Sequence, residues 1–344
     1  MMLTIRTAAF LVVCAVIITL WLMVLLGDPR LGIDFYPLYF GARRIVSGES
    51  PYGAEATQAL MREWSAQFAA AGIAYPLPLL ILITPLSLLP LPVATAVWTA
   101  FGIASCFLAV RLVPEWRYNI LLPFVFLPFH RSVVMGQATL VWLGLAVLLI
   151  QSMRMKRSWL SGILILLLTL KPQDGLLFAL AGLVWAWREQ RQALWWFCGS
   201  AVVLISVAFL ARPTWMYEWI AQTRIYQTIV APPHLLPFGL VLIIACWRHP
   251  WWARVAAAQV VCFPLSDLYS ALPLLLCWLA IGGWTSLIGA GLSWLWSIGG
   301  LPNTLTVFWW LIFIPLCLNA AWSGWLSPRR TVRHPRTHTT ITPS

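Results

Sequence analysis

Residues 154–191 read RMKRSWLSGILILLLTLKPQDGLLFALAGLVWAWREQR. Two apolar runs, 159–170 and 174–187, are split by Lys171-Pro172-Gln173-Asp174 and bracketed by basic clusters at 154–157 and 188–191. Lys and Arg gather in the cytoplasmic loops of membrane proteins. With both clusters inside, the two runs are short spans and Lys171 sits at an outward-facing turn between them. That reading sets the fold class: an all-α polytopic membrane protein.

The rest of the chain agrees. It is 61% hydrophobic and 9% charged, with a mean hydropathy of +0.84. A soluble domain carries about 25% charged residues, so lipid must be the solvent for much of this surface. The 23 Trp fall often near segment ends, as at Trp98, Trp116, Trp159, Trp187, Trp215 and Trp247, the placement of an interfacial aromatic belt. The net charge of +12 does not point to nucleic acid, because the Arg residues sit in short clusters between apolar runs. Attraction to anionic membrane lipids follows from the same clusters. All seven Cys lie within or at the edge of apolar runs and none forms a CxxC pair. They read as small buried hydrophobes rather than a disulfide framework or metal site.

A span takes roughly 20 apolar residues, fewer when short or re-entrant. The run Ala8–Leu26 is too long for a signal-peptide core and no A-x-A-like site follows, so it is expected to be a retained first helix. Further helices are expected from Tyr75-Pro76 to near Leu89, from Pro90-Leu91-Pro92 to near Leu112, and at about 193–211, 234–247, 284–298 and 304–322. Residues 118–151 must cross once net, which places Gly136-Gln137 facing outward or in a re-entrant dip. With the N-terminus and Arg6 inside, the total is about twelve spans. Residues 1–326 form one transmembrane domain, and the acid-free basic segment 327–344 a disordered cytoplasmic tail.

Parity places residues 27–74 outside. That loop holds five of the ten acids: Asp28, Asp34, Glu49, Glu55 and Glu63. Its segment Glu55–Ala70 reads as an amphipathic interfacial helix. Parity also brings Asp34, Gln137, Lys171 and Asp267 to the same outer side. Asp34 lies about eight residues beyond the first helix, close enough to face a cavity at the membrane surface. It can serve as a general base, or be a solvated loop acid, or cap a helix starting near Phe35. Asp28, beside Pro29, reads as a turn. Lys171 is one of two Lys in the chain. As a compact cation it suits a phosphate, or pairs with Asp174 or Asp267. Gln137 follows a glycine that permits close backbone approach. It can bind sugar hydroxyls or phosphate, or make an interhelical hydrogen bond. Asp267 and Tyr269 sit at a break in an apolar run. His130-Arg131 can reach a phosphate, or snorkel to the interface, the reading that we prefer. No DxD pair or carboxylate cluster suggests a metal, so metal-independent, cofactor-free chemistry is expected.

These features resemble glycosyltransferase family 87, polytopic enzymes of the GT-C fold. The resemblance rests on Asp34-Phe35-Tyr36, Tyr39, Ala42-Arg43, Ser47-Gly48 and Pro51-Tyr52. It continues through Tyr75-Pro76 with Pro85 and Leu89-Pro90, then Gly136-Gln137, then Lys171-Pro172. The order and spacing of these motifs carry it over roughly residues 30–175. Known members include the mycobacterial mannosyltransferase that elaborates phosphatidylinositol mannosides. The resemblance implies a polyprenyl-phosphate sugar donor, a hexose such as mannose, and a lipid or glycan acceptor. It also implies a bacterial plasma membrane with the site on the outer face. Asp34 then becomes the expected base of an inverting transfer. Lys171, Gln137, Arg43 and Gln173 become contacts to donor phosphate or sugar, and Tyr36, Tyr52, Asp267 and Tyr269 cavity residues. Family members often carry a His in the late outer turn, whereas residues 262–270 here read CFPLSDLYS. Two other classes fit parts of the pattern. One is a transporter or lipid flippase, which also shows isolated charges among many spans. The other is a catalytically degenerate envelope-assembly protein.

Overall fold

The computed structural model describes residues 32–64, 69–110, 112, 119–230 and 232–326. The expected first helix, Asp28, and the basic tail lie outside the described residues. Those described are helical, with no strand among them. The principal helices are α1 (Tyr36–Val46), α2 (Gly53–Glu63), α3 (Leu77–Ser87), α4 (Leu91–Val110), α5 (Leu127–Met135) and α6 (Ala138–Arg154). They continue as α7 (Ser158–Thr169), α8 (Pro172–Glu189), α9 (Gln192–Ala211), α10 (Trp215–Val230) and α11 (Trp251–Cys262).

Among the described residues, α4, α9 and the run Leu305–Trp325 are long and apolar enough to cross a membrane, and α5 with α6 makes a fourth if the bent pair is one span. These mark a membrane protein. The number falls well below the twelve expected, and the breaks have local causes. The apolar stretch 118–151 is interrupted at Pro123, Pro128 and Gly136, and emerges as Leu122–Val125, α5 and α6. The stretch 284–298 divides into Gly283–Gly291, Leu292–Trp294 and Leu295–Ile298. Hydropathy registers apolarity, but a proline or glycine inside the run ends the helix.

Residues 32–64 form a packed layer rather than an open loop. Pro37 opens α1 in the first turn, where its missing N–H costs nothing. The helix then buries Leu38, Tyr39 and Phe40 and lies on α3. Gly41 is at the crossing, where a Cβ would stand 3.1 Å from the Leu80 side chain. The interfacial helix expected over 55–70 starts earlier and ends sooner, as α2, with Trp64 already extended; residues 65–68 lie outside the described ones.

Helices α6, α7 and α8 run up and down beside one another. The Ser152 and Ser161 hydroxyls meet at 2.8 Å between α6 and α7. Gly162 lets α7 approach α9 so closely that a Cβ there would fall 2.5 Å from the Ala193 carbonyl oxygen. Small residues at such crossings are the usual means of packing helices in lipid. The connection α7–α8 returns the chain to the same end as the start of α6, where the candidate site lies.

Candidate active site

The α5–α6 pair bends by 118°. Gly136 makes the bend with φ of 65°, the left-handed conformation that a glycine adopts cheaply. Gln137 then opens α6 in extended conformation. The turn 32–35 docks on this corner. The Gly32 N–H donates to the Val134 carbonyl at 2.7 Å and the Asp34 N–H to Met135 at 2.8 Å. Both carbonyls belong to the last turn of α5, which has no intrahelical partner for them. The Trp98 indole donates to the Gly136 carbonyl at 2.9 Å and stacks on Phe35 with ring centroids 5.3 Å apart. A Cβ at Gly136 would stand 3.0 Å from Gly32 Cα and 3.2 Å from Phe35 Cβ.

This clasp sets Asp34 against Gln137, whose side-chain amide donates to the Asp34 carboxylate. The Gln137 carbonyl oxygen lies 3.5 Å from Lys171 Nζ. Lys171 also donates to Thr139 Oγ1 at 3.4 Å and pairs with Asp174 at 2.5 Å, while Thr139 donates to the same Asp174 oxygen at 3.0 Å. The polar chain therefore runs Asp34–Gln137–Lys171–Asp174, with Thr139 bracing its far end. Gln137, Thr139, Lys171 and Asp174 are buried, and Asp34 is partly buried. Asp34 does not cap α1: the cap position is Phe35 and no side-chain cap bond forms. Its carboxylate faces inward instead. Burial raises its pKa from 3.8 to about 6, with the Gln137 hydrogen bond acting downward, Asp267 upward, and Lys171 and Arg131 downward.

Three phenols lie within electrostatic reach of that carboxylate. Burial first, and then neighbours including the Asp34 charge, push Tyr75, Tyr226 and Tyr269 up from their ordinary values, so all three present O–H donors at neutral pH. Tyr226 comes from α10. That helix is tied to the segment leading into α3 by Trp219 donating to the Ala74 carbonyl at 2.9 Å and Gln222 donating to Ala71 at 2.7 Å. On the other side, the fully buried Gln259 of α11 grips the start of α8, donating to the Pro172 and Gln173 carbonyls and accepting from Leu177 N–H at 2.8 Å.

The remaining expected residues divide. Asp267 is held by Arg131 through two nitrogens at 3.1 and 3.0 Å, by Asn303 at 2.8 Å and by the Leu268 N–H. Lys171 therefore pairs with Asp174 and not with Asp267. His130 is buried beside Trp294, and Arg131 is committed to Asp267. Tyr52 is buried and donates to the Tyr75 carbonyl at 2.8 Å; Tyr36 donates to Glu63 at 3.0 Å and stacks on Trp64. Both contacts stay within the layer of residues 32–64 and the lead-in to α3. Arg43 is exposed on α1, whereas Arg44 is buried and bound to the Ser50 carbonyl, Glu49 and Glu55. Gln173 is exposed, its backbone carbonyl bound by Gln259.

Residues 73–231, just under half of the chain, match the family model for glycosyltransferase family 87. The match supports the family 87 resemblance read from the sequence, and with it glycosyl transfer as the activity. No curated protein and no solved structure matches the chain. The matched segment contains Tyr75, Gln137, Thr139, Lys171, Asp174 and Tyr226, while Asp34 lies outside it and is joined to it by the clasp at Gly136. The match speaks for group transfer over the transporter and flippase readings.

The clasp carries a prediction. Gly136→Ala forces an ordinary side chain into the left-handed conformation, at about 1–2 kcal/mol, and presses a methyl group on Gly32. We expect loss of sugar transfer well beyond the loss of melting temperature, because Asp34 moves off Gln137. A variant that melts normally and transfers normally sinks the clasp as a positioning device.

Proposed function

We propose that this enzyme moves a hexose, with mannose as the first donor to test, from a polyprenyl phosphate to a hydroxyl of a lipid or glycan. The transfer takes place at the outer face of a bacterial plasma membrane, in a GT-C-type polytopic fold. The observation that carries the reading is the partly buried Asp34 carboxylate, oriented by Gln137 at a corner shared with Lys171. Asp34 takes the proton of the acceptor hydroxyl as its oxygen attacks the anomeric carbon. The bond from that carbon to the phosphate oxygen breaks, and polyprenyl phosphate leaves. Phosphate is already a good leaving group, so one carboxylate on the acceptor side suffices for an inverting displacement, unlike the two of inverting hydrolases.

Lys171 and Gln137 are assigned to the donor side, Lys171 by its charge and Gln137 by its amide. The exposed Gln173 stands two residues from Lys171 and can reach the same phosphate. Arg43 is a weaker candidate, about 10 Å beyond the start of α1. The phenols of Tyr75, Tyr226 and Tyr269 supply neutral donors for sugar hydroxyls.

Membranes bearing the chain are incubated with radiolabelled polyprenyl-phosphate mannose and candidate lipid acceptors across about pH 5 to about pH 8. A base works only when deprotonated, so transfer should be half-maximal near pH 6 and fall about tenfold for each further pH unit below. A flat profile through that range overturns Asp34 as the base. Absence of transfer from any polyprenyl-phosphate sugar overturns the donor class.

A further inference from the structure

The other end of α6, α7 and α8 carries a feature that sugar transfer does not use. A cavity of about 370 Å³ opens between the starts of α7 and α9, lined by Lys156, Arg157, Ser158, Trp159, Gln192 and Trp196. It lies about 25 Å from Gln137, the length of the 17-residue α6. Arg154, Arg188 and Arg191 flank it, against the single acid Glu189.

The backbone shows that the charge is kept at a cost. Helix α6 ends in a paired hydrogen-bond motif: the Lys156 N–H donates to Met153 at 3.1 Å and the Arg157 N–H to Ser152 at 2.9 Å. The same motif ends α5, with Gly136 N–H to Val133 and Gln137 N–H to Ser132. Its key position is left-handed and usually glycine. At α5 it is glycine, whereas at α6 it is Lys156 with φ of 52°. The chain has only two Lys, and one occupies a site where a side chain is disfavoured. Gln190 donates to the Lys156 carbonyl at 2.9 Å and holds the turn in place.

We propose that this cavity binds the phosphate headgroup of an anionic phospholipid. Lys156 and Arg157 supply the charge, Ser158 a hydroxyl donor, and Trp159 and Trp196, each about half exposed, the amphipathic rims favoured at headgroup depth. The acyl chains have a surface to lie on, since α9 buries only Ala193 and Ala208 of its 20 residues. Basic clusters of this kind draw anionic lipid in the cytoplasmic leaflet.

The test uses the full chain purified in detergent, with thermal melting and native mass spectrometry after addition of phosphatidylglycerol, phosphatidylcholine or inorganic phosphate. Phosphatidylglycerol should raise the melting temperature and stay bound; the other two should not. Lys156→Gly suits the left-handed turn, so its lipid-free melting temperature should equal or exceed that of the native chain. Its apparent affinity for phosphatidylglycerol should fall about fivefold, as should that of Arg157→Gln. Asp34→Asn should bind the lipid like the native chain, which separates this site from the transfer reading. Equal retention by the native chain and both cavity variants overturns the site. Equal shifts with phosphatidylcholine or with inorganic phosphate overturn the anionic lipid as occupant. A lower lipid-free melting temperature for Lys156→Gly overturns Lys156 as a charge kept against its backbone preference.

Discussion

Asp34→Asn is expected to abolish transfer while raising the melting temperature. The two effects have one cause. Burial raises the Asp34 pKa from 3.8 to about 6, so the folded chain favours the protonated acid. The stability this group contributes is fully present below about pH 3.8 and is lost as pH rises through about 6. At neutral pH the folded protein holds an ionised carboxylate where water is scarce. The shift corresponds to at most about 3 kcal/mol, less after allowance for the water that still reaches this partly buried group. Asparagine never ionises and can still accept the Gln137 hydrogen bond, so it removes that penalty and leaves the local geometry in place. It cannot take a proton, and general-base catalysis is worth about 10²–10⁴ in rate. The measurement is transfer from polyprenyl-phosphate sugar beside thermal melting at neutral pH. Transfer within a few-fold of the native enzyme rejects Asp34 as the base. Loss of transfer together with a lower melting temperature makes Asp34 a structural group instead.

The second large effect belongs to Lys171. Lys171→Met leaves Asp174 charged, buried and held only by Thr139, and breaking a buried pair from one side costs about 3–5 kcal/mol. Adding Asp174→Asn removes the stranded charge and retains an acceptor for Thr139. The double variant should therefore recover most of the melting temperature lost by the single one. Transfer should stay low in both, because Gln137 has lost the cation beside its carbonyl oxygen and the site has lost its buried positive charge. Recovery of transfer along with stability in the double variant assigns the pair to folding alone. Failure of the double variant to regain stability shows that Lys171 is held by something other than Asp174.

Asp34, Gln137 and Lys171 are legible as candidates because each is a polar residue in or beside an apolar run, where lipid makes polarity costly. Parity of spans adds that they share a side. Their partners are harder to read. Thr139 and Gln259 look like ordinary helix-packing polar residues, and Tyr226 sits in a mixed helix with no marked pattern. Asp174 reads only as one of two partners for Lys171. Asp267, with the same sequence signature as Asp34, turns to Arg131 and caps a short turn. The local sequence does not distinguish the two acids, because the difference lies in what each one meets: Asp267 the Arg131 guanidinium, Asp34 the neutral Gln137 amide.

Membrane embedding, helical class and the resemblance to family 87 follow from the sequence alone. They depend on composition, on the alternation of apolar runs with basic clusters, and on motif order, all of which lipid and local backbone chemistry impose residue by residue. The division of the apolar runs into separate helices, the packed state of residues 32–64, and the contact of Asp34 with Gln137, 103 positions apart, were decided only by tertiary structure. Prolines and glycines convert apolar runs into short, bent helices. Close backbone approaches such as those at Gly32, Gly136 and Gly162 then determine which polar groups meet.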